Sequence, residues 1–234
     1  MRRRSTKIGG MARTRVKICG ICRPEDALAA ARAGADAIGM VFDAEAGRCV
    51  READVPGILA VVPPFVSRVA LFVNHSVEDI KSVLQDHPFS AVQLHGDESP
   101  EFVDDLKPTR VIKAIHLAPG DMAPIELWRG AIRELQLTNL AGILLETPRT
   151  GEKRGGTGVP NNFAALREMQ AAGNFEGLPP VILAGGLTPE NVADAIRLLH
   201  PYAVDVSSGV EAAPRQKSPE KIEAFIRAVA SVQP

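Results

Sequence analysis

Two stretches near the C-terminal end of the sequence could bind an anion. Each is a run of apolar residues that ends in glycine or serine and then leads into a predicted helix. In the first stretch Pro189 suits the first helical position, and Thr188 suits the N-cap that precedes it. Backbone N–H groups at a helix N-terminus favour a bound phosphate. The candidate phosphate-binding residues are Gly185, Gly186, Ser207, Ser208 and Gly209.

A second set of residues could move protons. Lys17 and Cys19 close one apolar run, and Glu146 closes another. Side chains two positions apart share one face of a strand, so this set is expected to point away from the branched apolar residues between its members. Thiol, imidazole and carboxyl groups act as general acids and bases, and burying charges together without a role would be costly. The other members are Gln93, His95 and Asp205.

These residues need a scaffold in which many strand ends meet. From Val16 onwards, eight short apolar runs alternate with stretches of helical period. The pattern predicts an α/β fold, a single (β/α)8 TIM barrel, with its site at the C-terminal strand ends. An open doubly wound sheet is the competing architecture, disfavoured because no Gly-x-Gly-x-x-Gly follows the first strand. The predicted strands are Val16–Cys19, Asp36–Phe42, Val69–Asn74, Ala91–His95, Arg110–His116, Leu140–Glu146, Val181–Ala184 and Ala203–Ser207.

Composition narrows the class of protein. The chain has 234 residues, 45% of them hydrophobic, and a formal net charge of -1, which gives no support for nucleic acid as a partner. No run approaches the ~18 consecutive apolar residues of a membrane span. Three cysteines, an odd number, argue against a disulfide framework and favour a reducing, cytoplasmic location. Residues 1–14 are basic and aperiodic, so we expect a disordered extension before a barrel domain at 15–234.

Six blocks of sequence carry a resemblance to one family. They are Lys17-Ile18-Cys19-Gly20-Ile21, Phe72-Val73-Asn74, Val92-Gln93-Leu94-His95-Gly96-Asp97-Glu98, Gly155-Gly156-Thr157-Gly158, Ala184-Gly185-Gly186-Leu187-Thr188-Pro189-Glu190-Asn191 and Asp205-Val206-Ser207-Ser208-Gly209-Val210-Glu211. In this order the blocks resemble the phosphoribosylanthranilate isomerases of tryptophan biosynthesis. The resemblance implies a (β/α)8 barrel that converts a phosphorylated aminoaldose into an aminoketose by an Amadori rearrangement, without metal or organic cofactor. It also implies a phosphorylated small-molecule substrate and a monomer or homodimer, with neither nucleic acid nor membrane as a partner.

The same resemblance implies roles for single residues. Carried over by position, Cys19 resembles the family's general base, and Glu146 takes the place of its general acid. The residues expected to bind substrate are Arg48, Gln93, His95 and Asp205, and the phosphate-holding turns match Gly186, Ser207, Ser208 and Gly209.

Several features of the sequence bear on this expectation. Glu146 stands where the family carries aspartate, which moves the carboxyl by about one carbon–carbon bond, roughly 1.5 Å. Cys22 replaces a usual threonine and creates Cys19-x-x-Cys22, a spacing that can mark a redox pair but is more often incidental. Lys17 is expected to lower the pKa of Cys19. Two alternatives stay open: another phosphate-binding barrel enzyme, such as a pentose-phosphate epimerase or indole-glycerol-phosphate synthase, and a non-catalytic or altered-specificity phosphate-binding barrel.

Overall fold

The computed structural model describes residues 13–118, 120–146 and 163–232. Within these ranges eight parallel strands follow one another around a closed barrel, and the last strand pairs with the first. The predicted (β/α)8 barrel is therefore confirmed. The strands are β1 (Arg15–Cys19), β2 (Ala37–Val41), β3 (Ser67–Phe72), β4 (Ala91–Leu94), β5 (Val111–His116), β6 (Leu140–Glu146), β7 (Val181–Leu183) and β8 (Ala203–Val206).

Helices surround the barrel, and a small hairpin follows its last strand. The helices are α1 (Pro24–Ala33), α2 (Val55–Ala60), α3 (Val77–Asp86), α4 (Pro100–Asp105), α5 (Ala123–Glu134), α6 (Phe163–Ala171), α7 (Val192–Leu199) and α8 (Pro219–Ala230). A 3₁₀ turn at Ser208–Val210 leads into the hairpin, which is formed by β9 (Glu211–Ala213) and β10 (Gln216–Lys217). No helix in the described part of the chain is long and apolar enough to span a membrane.

Local capping sets the start of several helices. The sequence predicts that Ser76 caps α3, and its Oγ accepts a hydrogen bond from the backbone N–H of Asp79 at 3.1 Å. Ser218 caps α8 in the same way, accepting from the N–H of Lys221 at 3.2 Å. Each cap satisfies a backbone donor that the helix itself leaves without a partner, and such a cap contributes about 1 kcal/mol.

The alternation of side chains along the strands separates two cores. Ile143 and Leu145 on β6 pack against the helices in one large outer core. Leu144 lies between them and belongs to a smaller cluster inside the barrel. Glu146 shares the face of Leu144, so its carboxyl points inward at the C-terminal end of its strand. The polar positions of the other strands point inward for the same reason, because their apolar neighbours belong to the outer core.

The predicted start of α7 was wrong by three residues, although Thr188 Oγ1 accepts a hydrogen bond from the N–H of Glu190 at 3.3 Å, as expected of a cap. The helix begins at Val192 with Asn191 at the N-cap position, three residues after the predicted start at Pro189. The Asn191 side chain is the reason: its Oδ1 accepts from the N–H of Thr188 at 2.8 Å, and its Nδ2 donates to the carbonyl of Gly186 at 2.9 Å. These two bonds hold the segment after β7 in a turn instead of a helix.

The N-terminal boundary differs by two residues from the predicted extension. Thr14 is buried and donates its hydroxyl to the carbonyl of Pro201 at 3.2 Å, and Arg13 forms an ion pair with Asp36. Both residues are therefore attached to the barrel. The rest of the predicted extension, residues 1–12, lies outside the described residues, as does the block Gly155-Gly156-Thr157-Gly158 that carries part of the family resemblance.

A buried ion pair supports the loop after β4, on which the site depends. Lys113 Nζ donates to Glu98 Oε2 at 2.7 Å and to the carbonyl of Gly96 at 2.6 Å. Glu98 also accepts from the N–H groups of Asn74 and Gly96 at 2.9 and 3.0 Å. Burial would raise the pKa of Glu98, but the Lys113 charge and these hydrogen bonds hold it below its ordinary value. The ends of β3, β4 and β5 are thereby joined.

Breaking this pair is expected to destabilise the fold. Lys113→Met leaves the Glu98 carboxylate buried without its cation, so we expect a loss of about 3–5 kcal/mol in the free energy of unfolding, measured by urea denaturation. The double variant Lys113→Met/Glu98→Gln should lose less, because neither charge remains. The Asp194→Asn variant, which removes an exposed pair with Arg197, is the control. A loss in Lys113→Met no larger than in this control would contradict the prediction.

Because the pKa of Glu98 is lowered, the stabilisation of the fold by the Lys113–Glu98 ion pair depends on pH. The folded-state pKa lies below the unfolded one, so the stabilisation is fully present above the unfolded pKa and is lost as the pH falls through the folded pKa. The wild type should therefore lose stability in acid more steeply than Lys113→Met/Glu98→Gln. Parallel stability curves below about pH 4.3, the ordinary pKa of glutamate, would contradict this expectation.

Candidate active site

A buried charged group lies where β1 meets β8. Lys17 Nζ and Asp205 Oδ1 are 2.9 Å apart, and the two residues stand opposite each other in the strand register. The Lys17 ammonium also interacts electrostatically with the Cys19 side chain. Gly39 on β2 provides the space, since a Cβ there would lie 2.9 Å from both Cys19 Sγ and Lys17 Nζ. The inner end of β1 thus holds a thiol, an ammonium and a carboxylate in contact.

Lys17 acts on the pKa of Cys19 in the predicted direction, lowering it, but the pKa of the thiol is nevertheless raised overall. Burial raises the pKa of the Cys19 thiol, and Lys17 offsets this only in part, since the Asp205 carboxylate raises it further. Burial also disfavours the charged form of Lys17, but Asp205 and Cys19 outweigh it and the pKa of Lys17 is raised. Lys17 therefore stays charged, and its charge is shared between the thiol and the carboxylate.

Gln93, His95 and Glu146 form a chain of contacts from β4 to β6. Gln93 Nε2 lies 3.0 Å from His95 Nδ1, and His95 Nε2 lies 3.2 Å from Glu146 Oε2. The amide donates to Nδ1, so Nδ1 is the acceptor, and the imidazole proton assigned to Nε2 points at the carboxyl group. Gln93 is fully buried, and its Oε1 has no hydrogen-bond partner among the described residues. These two contacts hold the ring of His95 against Glu146.

His116 adds a second imidazole to this part of the site. It stands beside Glu146 in the register of β5 and β6, and its ring lies 5.3 Å from that of His95, centroid to centroid, in an edge-to-face arrangement. Partial burial and the neighbouring His95 lower the pKa of His116. The ring is therefore neutral at pH 7 and adds no positive charge beside Glu146.

Arg48 lies on the loop after β2, and its side chain contacts Glu211, which follows β8. Its Nε and Nη2 donate to the two carboxylate oxygens of Glu211, both at 2.6 Å. The side chain of Arg48 passes close over the turn after β1, because a Cβ on Gly20 would lie 2.8 Å from its Cδ. The guanidinium is thus held beside the strand that carries Cys19.

The two predicted phosphate-binding turns lie side by side. Gly185 and Gly186 adopt positive φ values of 88° and 65°, which glycine tolerates best. A Cβ on Gly209 would overlap the carbonyl oxygen of Leu187, so only glycine allows the turn after β8 to approach the turn after β7. Gly185, Gly186, Ser207, Ser208 and Gly209 are all partly exposed, as a binding surface requires.

Cys22 does not face Cys19. Its thiol donates to the carbonyl of Arg48 at 3.3 Å, and all three cysteines are free thiols. The Cys19-x-x-Cys22 spacing is therefore incidental. Cys19 ends a strand and Cys22 lies on the following loop, and their side chains point in different directions. Within the described ranges, no cluster of three or more histidine, cysteine or acidic side chains could hold a metal ion.

Sequence comparison decides the family. The model of the N-(5'-phosphoribosyl)anthranilate isomerase family matches residues 16–228, which is nearly the whole barrel. The chain belongs to this family. A phosphoribosylanthranilate isomerase from Pseudomonas putida is 45% identical over 222 residues, which cover 94% of this chain and 98% of the relative.

Solved structures of other phosphoribosylanthranilate isomerases have the same fold. One, in complex with reduced 1-(o-carboxyphenylamino)-1-deoxyribulose 5-phosphate, is 35% identical with a TM-score of 0.77, covering 93% of this chain and 99% of its own. Another, of monomers generated from the dimeric enzyme of Thermotoga maritima, is 33% identical with a TM-score of 0.76 over the same shares of the two chains.

The structure brings together most of the predicted residues and adds four that the sequence interpretation did not use. Asp205 contacts the Lys17–Cys19 pair, and His95 contacts Glu146. The additional residues are Gly39, His116, Glu211 and Lys217. His116 ends a predicted strand on its inward face, so the same alternation argument could have found it. The roles of the other three depend on contacts between distant parts of the sequence.

Proposed function

We propose that Cys19 and Glu146 perform the reaction of this family, in which N-(5'-phosphoribosyl)anthranilate becomes 1-(2-carboxyphenylamino)-1-deoxyribulose 5-phosphate. The observation that carries the proposal is the placement of a thiol on β1 and a carboxyl on β6 at the same inner end of one barrel. A thiol and a carboxyl so placed can act as base and acid on one substrate. The rearrangement is an isomerisation, so it requires only proton transfers and neither adds nor removes atoms.

Glu146 is assigned the first proton transfer. Its carboxyl donates a proton to the furanose ring oxygen, the bond from C1′ to that oxygen breaks, and the nitrogen lone pair forms the C1′=N bond of a Schiff base. His95 supports this step by fixing the carboxyl through the 3.2 Å contact with Glu146 Oε2. The extra methylene of glutamate, compared with the family's aspartate, is what we propose brings the carboxyl to His95.

Cys19 is assigned the second proton transfer. Its thiolate removes the proton from C2′, the electron pair forms the C1′=C2′ bond while the π pair of the C1′=N bond returns to nitrogen, and the resulting enolamine tautomerises to the aminoketose. Lys17 favours the thiolate, while burial opposes it. Because the reaction also needs a protonated Glu146, only a variant without this acid isolates the pH dependence of the base, and the residual kcat/KM of Glu146→Gln should rise with pH through the neutral range.

The remaining residues bind substrate in this proposal. Asp205 accepts from a ribose hydroxyl, Arg48 binds the anthranilate carboxylate, and Gln93 and His95 line the site. Gly185, Gly186, Ser207, Ser208 and Gly209 hold the phosphate with the turns after β7 and β8. Support for the phosphate position comes from the adjacent turns, whose glycines leave the backbone open to close approach.

One assay tests the function. Phosphoribosylanthranilate is fluorescent, and its conversion by the purified chain should abolish that signal at a rate proportional to enzyme concentration. No loss above background at micromolar enzyme would contradict the proposal and favour the alternative of a non-catalytic phosphate-binding barrel. The relatives described above carry the isomerase name, and none of these observations favours that alternative.

A substitution at Gly39 tests whether the proposed base is positioned by its neighbours. Gly39→Ala places a methyl group 2.9 Å from Cys19 Sγ, so the thiol or Lys17 must shift. A misplacement of about 1 Å can cost ~100-fold in rate, and we expect a loss of kcat of up to that size. Gly57→Ala on α2, where the new methyl meets only Pro24 at 3.8 Å, is the control. Equal kcat in the two variants would argue against this placement of the base.

Cellular context and assembly complete the proposal. We place the enzyme in the cytoplasm, in agreement with its free thiols. It acts on a phosphorylated small molecule and works as a monomer or a homodimer, which light scattering of the purified chain will distinguish.

A further inference from the structure

A carboxylate with two cationic partners lies beside the proposed site. Glu211, the first residue of β9, accepts two bonds from Arg48 at 2.6 Å and a third from Lys217 Nζ at 3.1 Å. The side chains of Glu211 and Lys217 are 9% and 0% exposed, whereas that of Arg48 is 20% exposed. The carboxylate and the ammonium are therefore fixed inside the protein, and the guanidinium is the member that reaches the surface of the site.

Lys217 connects this group to one of the phosphate-binding turns. Its Nζ donates to the carbonyl of Ser207 at 2.9 Å, and a Cβ on Gly20 would lie 3.4 Å from the same nitrogen. A single buried ammonium thus contacts both the carboxylate that holds Arg48 and the backbone of the turn after β8. The guanidinium and that turn are held in a fixed relation to each other.

The geometry of the Arg48 pair leaves one edge of the guanidinium for a ligand. Glu211 engages Nε and Nη2, so Nη1 takes no part in the pair. A guanidinium is planar, and fixing one edge fixes the direction of the remaining N–H bonds. An arginine side chain otherwise loses rotamer freedom when a ligand orders it, so an arginine that is ordered before binding gains affinity for its ligand.

We infer that Glu211 is a positioning residue for Arg48, and that Lys217 holds it at a set distance from the Ser207 turn. The inference rests on the proposed function, because it assigns to this arrangement the recognition of a substrate with two anionic groups, a carboxylate at Arg48 and a phosphate at the turns. Neither Glu211 nor Lys217 touches the substrate or the reacting atoms. Burial would raise the pKa of Glu211, but the Arg48 hydrogen bonds and the Lys217 charge lower it, so Glu211 stays ionised.

Positioning and simple charge balance predict opposite results. The side chains of Arg48, Glu211 and Lys217 together carry a net charge of +1. If Glu211 served only to reduce positive charge, its removal would strengthen the binding of an anion. If Glu211 positions Arg48, its removal frees the guanidinium and weakens binding of a carboxylate. The direction of the change in affinity therefore separates the two roles.

Calorimetric binding of two probes to the full chain tests the inference. The first probe is reduced 1-(o-carboxyphenylamino)-1-deoxyribulose 5-phosphate, and the second is the same molecule without the ring carboxylate. Glu211→Ala should bind the first probe at least tenfold more weakly than the wild type, while the second probe binds both proteins equally. In turnover, KM should rise by a similar factor with kcat changing less than threefold, because the acid and the base are not touched.

Several controls keep the result interpretable. Glu211→Ala leaves Lys217 buried without its carboxylate, so Glu211→Gln/Lys217→Met, which retains neither charge, replaces it if the single variant does not fold. Glu223→Gln on α8, which removes an exposed pair with Arg227 at 3.3 Å, should leave both affinities unchanged. Combining Arg48→Met with Glu211→Ala should add no further loss, since the second residue acts through the first.

Failure of the inference can be told apart from failure of the proposed function. Unchanged or tighter binding of the carboxylate probe by Glu211→Ala, with a wild type that binds it and turns over substrate, overturns the positioning role alone. An equal loss for both probes also overturns it, since the effect would then not pass through the carboxylate. A wild type that binds neither probe overturns the proposed function and the inference with it.

Discussion

Cys19→Ala is expected to lower kcat about 10²- to 10⁴-fold while KM for phosphoribosylanthranilate changes little. A positioned general base contributes a factor of this size, and alanine cannot accept the C2′ proton. Cys19 is 5% exposed and is positioned by Lys17 and Gly39, so replacing its sulfur should leave the rest of the site intact. The measurement is the steady-state loss of substrate fluorescence. Wild-type turnover in Cys19→Ala would remove this assignment.

Two further variants sharpen this test. Cys22→Ser should keep near-wild-type kcat, because the Cys22 thiol contacts the carbonyl of Arg48 at 3.3 Å and not the proposed base. Cys19→Ser should be nearly as impaired as Cys19→Ala, since an unactivated hydroxyl is a far weaker base than a thiolate. The pH profile of a variant without the proposed acid gives a further test: the residual kcat/KM of Glu146→Gln should rise with pH through the neutral range, because burial raises the pKa of Cys19. A residual activity of Glu146→Gln that falls between pH 6 and 8 would contradict the thiolate as base.

Glu146→Gln is expected to lower kcat by a similar factor of about 10²–10⁴. The amide retains the size of glutamate, and it can still contact His95, but it has no proton to donate to the ring oxygen at neutral pH. Glu126→Gln, an exposed position on α5, is the matched control. A Glu146→Gln variant with unimpaired kcat would require another acid.

Shortening the same side chain tests why this chain carries glutamate. Glu146→Asp withdraws the carboxyl by about one carbon–carbon bond, roughly 1.5 Å, and so breaks the 3.2 Å contact with His95 Nε2. We expect an intermediate loss of kcat, up to ~100-fold, because the acid is present but misplaced. If Glu146→Asp equals or exceeds the wild type, the contact with His95 does not position the acid.

Local patterns in the sequence were sufficient to predict the barrel and the inward direction of its polar residues. The alternation at Ile143, Leu144 and Leu145 depends only on strand geometry, and the structure places these residues in the two cores as expected. The start of α7 could not be predicted in the same way. Thr188 and Asn191 are both good capping residues, and the side-chain bonds of Asn191 fix the turn that displaced the helix.

Local sequence patterns were not sufficient to predict the electrostatic environment of Cys19 and Arg48. Lys17 and Cys19 are neighbours in the sequence, so the interaction between them could be predicted. The burial that most strongly raises the pKa of Cys19, and the further contribution of Asp205, 188 positions from Lys17, could not. The same holds for Arg48 and Glu211, which are 163 positions apart. In each case the sign or strength of an interaction depends on a third charged group that only the folded barrel brings close.

Because Lys17 pairs with Asp205, the environment of the Cys19 thiol forms only after the eighth strand has been synthesised. Lys17 belongs to the first strand of the barrel and Asp205 to the eighth, so a ribosome must synthesise all eight strands before this ammonium meets its carboxylate. A nascent or truncated chain that lacks β8 therefore has neither the Lys17–Asp205 pair beside Cys19 nor a closed barrel. Turnover should accordingly require the eighth strand, and fragments that stop before it should be inactive.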